Sequence, residues 1–122
     1  MLHEQITDPL FPTCPIRNVL SRICGKWPIL IMLVLAEKER SMRFKEIEAA
    51  IPDISQRMLT ITLRDLEADG MVHRQMFAEV PPRVEYHLTE RGRSFLPALS
   101  GIVNWAVDNI TDILADRKEY LK

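Results

Sequence analysis

The chain has 122 residues, 47% of them hydrophobic and 27% charged, with a formal net charge of −1; this length suits one domain with its own core, and this balance excludes wholesale disorder. The longest strongly apolar stretch, Trp27 to Ala36, covers ten residues where a bilayer span needs about twenty, and Met1 to Gln5 shows no basic run ahead of an apolar one, so no membrane span and no secretory signal are expected. Two cysteines, Cys14 and Cys24, exclude a disulfide scaffold and point to reduced thiols in a cytoplasm, and four glycines leave little material for a phosphate-cradling loop.

Residues 1–13 have no period and carry Pro9 and Pro12, which reads as an extended arm. From residue 14 the chain reads as one unit running to 122. Pro15 suits the first position of a helix, where its missing N–H costs nothing, and Ile16, Val19, Leu20 and Ile23 follow at helical spacing. Gly25 breaks that helix and Pro28 can open the next. Ile29 to Leu35 is apolar nearly all round, so this second helix should be buried on most sides. The polar run Glu37 to Arg40 reads as a loop. Arg43 to Ala50 is a short amphipathic helix with Phe44, Ile47 and Ile51 on one face, ended by Pro52 and Asp53. Ser55 is a good N-cap for a further helix from Gln56 to Asp69, whose Leu59, Leu63 and Leu66 form an inward stripe, and Gly70 stands where a helix-terminating glycine belongs. Two helices joined by so short a turn make a helix-turn-helix over about 43–70.

After Gly70 the period changes from helix to strand. Met71 to Phe77 suits one strand, and Val84, Tyr86 and Leu88 alternate with Glu85 and His87 in a second, giving a hairpin over about 71–88. The tip between them, Ala78 to Pro82, is too rich in proline for a tight turn. Thr89 can cap a last helix running to about Arg117, with Pro97 and Gly101 as blemishes. Its apolar residues, including Phe95, Leu99, Ile102, Val103, Ala106, Ile110 and Ile113, cover more than one face, and Trp105 and Val107 widen the band. Such a helix needs a second surface, either its own core or, the better fit, a second copy of the chain. The order is that of an α+β, mostly α, winged helix-turn-helix DNA-binding fold with a long C-terminal dimerisation helix.

Charge is uneven along the chain. Residues 13–45 carry seven basic side chains against two acidic ones, and residues 46–90 carry four against nine. The pattern fits a basic face on a nearly neutral body, and equally two halves that neutralise each other.

Cys14-Pro15, Gly25-Lys26-Trp27, Arg43-Phe44, Ile54-Ser55, Leu63 to Gly70 and Val80-Pro81-Pro82-Arg83-Val84-Glu85-Tyr86 together resemble the HxlR family of bacterial and archaeal winged helix-turn-helix regulators, related to the MarR-like group. The likeness runs from about Cys14 to Trp105. It implies a dimeric, sequence-specific, DNA-binding regulator of transcription, with double-stranded DNA carrying a palindromic operator as its partner.

The residues agree with that docking mode. With its leucines inward, the second helix of the motif presents Ser55, Gln56, Arg57, Thr60, Ile61 and Arg64 to the major groove. Gln56 and Arg57 in its first turn are the base readers of choice, since glutamine pairs with adenine and arginine with guanine. Ser55, Thr60 and Arg64 suit phosphates or bases at the margin, and Ile61 suits a thymine methyl. Arg43 and Lys45 on the first helix could hold the backbone, and Arg83 in the wing could reach the minor groove or a flanking phosphate. Each has a plainer alternative: Arg57 a solvated helix charge, Arg64 a helix-surface residue, Arg83 a wing brace paired with Glu79 or Glu85. Ile61 and Thr62 depart from the polar or basic residues common in the family, which bears on operator sequence.

Cys14, at or beside the cap of the first helix with Arg17 one turn on, is placed for a lowered thiol pKa. Some members of the resembling family sense oxidants or electrophiles through the cysteine at this position, so Cys14 is the redox-sensing candidate, against an ordinary capping thiol; this leaves room for a small-molecule or electrophile effector. Cys24 reads as buried and inert, and a Cys14–Cys24 bond would have to bridge roughly 15 Å of helix, beyond disulfide reach. His73 and His87 are possible cross-strand neighbours, but two imidazoles do not make a zinc site. No nucleophile, metal or nucleotide motif is present, so no enzyme activity, cofactor or metal is expected. The competing function is a winged helix serving as a protein-interaction module, favoured by the near-zero net charge and by Ile61 on the outward face.

Overall fold

A computed structural model of the chain describes residues 15–122, so the expected arm and Cys14 lie outside the described residues. The elements run α1 (Pro15–Ile23), α2 (Lys26–Lys38), β1 (Met42–Arg43), α3 (Phe44–Ala50), α4 (Gln56–Ala68), β2 (Val72–Phe77), β3 (Arg83–Leu88) and α5 (Glu90–Tyr120). The strands form one antiparallel sheet in the order β1-β3-β2. The fold is a mostly helical winged helix-turn-helix with a long last helix.

The all-round apolar α2 is the centre of the core, with Ile31, Met32 and Leu35 buried and Ile29, Leu30, Leu33 and Val34 packed partly around them. It starts at Lys26, ahead of Pro28, because a proline anywhere in the first turn removes only an N–H that has no helical partner. It also runs on through Glu37 and Lys38, read from sequence as loop, since both are good helix formers. Glu39 stops it in the left-handed region at φ 53°.

Strand β1 was not legible in the sequence. With only Met42 buried and Arg43 exposed, it is too short to show alternation. Arg43 therefore precedes α3, and its backbone N–H donates to the Glu46 carboxylate at 2.9 Å, closing the first turn of that helix.

Past α4, Gly70 turns the chain at φ 73°. Thr89 then ties the start of α5 to this turn: its oxygen accepts from the Gly92 N–H at 3.0 Å, its backbone N–H donates to the Met71 carbonyl at 3.0 Å, and its hydroxyl donates to the Gly70 carbonyl. Gly92 is buried here, and a Cβ on it would be driven into the Met71 carbonyl and against Leu88. Because backbone, unlike a flexible side chain, cannot yield cheaply, Gly92→Ala is expected to cost roughly 1–3 kcal/mol, read as a lowered urea midpoint at unchanged slope.

The first half of α5 completes the core through fully buried Leu99 and half-buried Phe95, Leu96 and Val103. Leu99 is thus corrected from dimerisation residue to core residue. Beyond Val103 the same helical stripe continues as Ala106, Ile110 and Leu114, all exposed, with Ile102, Trp105 and Val107 exposed beside it and Ile113 half-buried. On α1, Ile16, Val19 and Leu20 are exposed as well.

Candidate nucleic-acid interface

The angle between α3 and α4 is fixed by two buried residues of the turn, Ile51 and Ile54, whose backbones join through a 3.1 Å hydrogen bond. Ser55 caps α4 by accepting the Met58 N–H at 3.0 Å, which leaves its hydroxyl hydrogen available to a phosphate. Leu59, Thr62, Leu63 and Leu66 form the inward stripe of α4. Thr62 donates to the Met58 carbonyl at 2.7 Å, so this departure from the family pattern is a core residue.

The opposite face of α4 carries Gln56, Arg57, Ile61 and Arg64, all exposed, with Thr60 half-buried and donating to the Gln56 carbonyl at 2.9 Å. Arg57 and Arg64 make no ion pair among the described residues. Asp65, adjacent to Arg64, instead faces Arg22 at 3.5 Å. Lys45 on α3 and Arg43 at its start are exposed too.

Two residues on this side were missed by sequence reasoning. Met58 is 36% exposed at the flank of α4. Arg74 on β2 pairs across the hairpin with buried Tyr86, and cross-strand partners share a face, so Arg74 looks toward α4. With Arg64, Thr60, Phe44, Glu67 and Tyr86 it lines a cleft of about 360 Å³ between helix and sheet. The signal that could have found it is the expected pairing of His73 with His87, which in an antiparallel hairpin sets Arg74 opposite Tyr86.

Arg83 takes its plainer alternative. Its Nε lies 3.2 Å from Glu85 and 3.4 Å from Glu79, and its guanidinium covers the Phe77 ring at 4.1 Å. It braces the two ends of the wing rather than standing free at its tip.

The charge asymmetry is resolved in both of its senses. Arg22 bonds Asp69 at 2.8 Å, Lys26 faces Asp53 at 3.8 Å and Arg40 pairs with Glu46 at 2.9 Å, each a cation of the basic stretch on an acid of the acidic one. Arg40, with the Arg43 N–H second, holds the Glu46 carboxyl below the usual range. Lys45, Arg57, Arg64 and Arg74 are exposed and form no ion pair among the described residues, so α3, α4 and β2 each keep positive charge that no carboxylate neutralises.

Away from this face, His73 and His87 are register partners with ring centroids 5.0 Å apart. Burial, then the charges of His73 and Arg93, push His87 below its ordinary value of 6.5. Folding thus favours neutral His87. Stability should be unaffected above pH 6.5, fall as pH drops below it and level off under the folded-state value. Urea midpoints at pH 7.5 and 5.5 should differ less in His87→Gln than in the parent. Among the described residues no group of three metal-ligating side chains occurs. Cys24 corrects its reading: it follows α1 as an exposed free thiol.

The family model for the HxlR-like helix-turn-helix matches residues 22–113. The chain belongs to the HxlR-like helix-turn-helix family. An HTH-type transcriptional regulator of Methanothermobacter thermautotrophicus is 47% identical over 92 residues, covering 75% of this chain and 69% of the relative. Among solved structures, the transcriptional regulator ytfH of Salmonella typhimurium superposes with a TM-score of 0.79 at 31% identity, over 91% of this chain and 97% of that one. The redox regulator HypR in its oxidised form gives 0.70 at 43% identity, over 79% and 97%. This HxlR-like protein is a transcriptional regulator of the helix-turn-helix type. None of its described helices is, singly, long and apolar enough to cross a membrane.

Proposed function

We propose that the chain acts as a homodimer that binds a palindromic operator in double-stranded DNA, with α4 in the major groove. The observation that carries this reading is the exposed row on α4, Gln56, Arg57 and Arg64, flanked by Lys45 and Arg74 with no ion pair among the described residues to neutralise them. Gln56 and Arg57 read bases; Ser55, Thr60, Arg64, Arg43, Lys45 and Arg74 hold phosphates; Arg83 supports the wing. The stripe Ala106, Ile110 and Leu114 and the apolar face of α1 meet a second copy. Two-fold symmetry then sets half-sites about one DNA turn apart, or a multiple of it.

The likeness to the redox regulator HypR supports a redox or electrophile input through Cys14. Alkylating Cys14 is expected to change operator affinity; unchanged affinity would sink this part alone.

Selection of genomic fragments by the purified protein tests the main reading. Enrichment of one palindromic motif, bound with a steep salt dependence, is expected. An intact dimer that enriches nothing at low salt is a protein-interaction module instead.

A further inference from the structure

Ile61 occupies a position that the fold does not need. It is 40% exposed, and no core residue lies on its side of α4. On a helix, residues three and four apart are neighbours, so Arg57 at i−4 and Arg64 at i+3 place Ile61 in one row between two exposed guanidiniums. A β-branched residue is a mediocre helix former, and at an exposed position it gains little burial to offset that cost. A solvated face would favour a polar residue here. An apolar side chain held between two cations matches a surface that is negative at its edges and carries one small apolar group. In the major groove that group is the C5 methyl of thymine.

We propose that Ile61 is a specificity-determining residue that reads the C5 methyl of one thymine per operator half-site, between the base or phosphate taken by Arg57 and that taken by Arg64. This rests on the operator reading above and assigns one position of it. Arginine and glutamine read donors and acceptors, and they do not distinguish thymine from uracil. Ile61 does.

The test uses the full-length protein and the operator recovered by fragment selection, with each thymine replaced in turn by deoxyuridine, which deletes one methyl group and leaves every hydrogen-bonding group in place. At one position per half-site the replacement should weaken binding about fourfold, the value of burying a single methyl, and about fifteenfold when both half-sites carry it. Ile61→Ala should bind thymine and uracil operators alike, whereas Met58→Ala, altered at the flank of the row, should keep the parent's discrimination. Ile61→Val, which keeps an apolar branched tip, should retain most of it. Equal binding of thymine and uracil at every position overturns the proposal, as does discrimination that survives in Ile61→Ala. Because 5-methylcytosine offers the same methyl, a parallel operator set replaces cytosine with 5-methylcytosine. A gain there without any loss to uracil assigns the methyl to methylated cytosine and overturns thymine. Failure to recover any operator is a different result, and it overturns the operator reading itself.

Discussion

Arg57→Ala is expected to lower operator affinity at least about thirtyfold while leaving the thermal midpoint unchanged. Arg57 is the second residue of α4 and exposed, and removing its side chain breaks no ion pair or hydrogen bond among the described residues. In the groove its guanidinium would present two parallel N–H donors to the O6 and N7 of guanine, a pairing worth roughly 1–3 kcal/mol. A symmetric dimer loses it twice, roughly 2–6 kcal/mol in all. The same substitution should flatten preference at one base position per half-site. Arg64→Ala, by contrast, should weaken all sequences about equally and reduce the salt slope, as a phosphate contact does. Anisotropy titrations at two salt concentrations separate the two. Unchanged specificity in Arg57→Ala would remove this residue from the reading surface.

That face of α4 was legible because it follows from a single fact, the inward stripe of Leu59, Leu63 and Leu66. Once three positions of a helix are fixed inward, the outward ones follow from 3.6 residues per turn. Ser55 and Gly70 were equally readable, because a cap and a left-handed turn each demand particular residue types. What sequence could not supply was long-range pairing. β1 exists because Met42 and Arg43 lie against Tyr86 and Glu85, far away in the chain. Arg74 was within reach, since the expected His73–His87 pairing sets it opposite Tyr86, but the hairpin register does not say which face of the sheet meets α4. The choice for Arg83 stayed open because only the position of Phe77, Glu79 and Glu85 decides it. Leu99 shows a related limit. Periodicity marks the apolar stripe of α5 but not where along it the core ends, and that point falls near Val103.

Ile110→Glu is expected to convert the dimer into a monomer, read by light scattering after gel filtration, and to lower operator affinity by at least about a hundredfold. Ile110 is 45% exposed in the isolated chain, in line with Ala106 and Leu114 on a helix whose earlier turns bury the same stripe in the core. A helix that stays this apolar for several turns after leaving its own core has a surface to hide, and contiguous apolar patches mark association sites. By two-fold symmetry one substitution places two carboxylates in the interface, where each must lose water without a partner cation, at a cost of several kcal/mol per ion. The monomer should remain folded, because Ile110 is exposed and lies outside the core cluster to which Leu99 belongs. Unfolding should therefore stay cooperative in the variant. Loss of operator binding then follows from loss of the second α4, since half the phosphate and base contacts disappear together. A variant that remains dimeric would move the interface from this stripe to the exposed face of α1, where Val19→Glu makes the corresponding test.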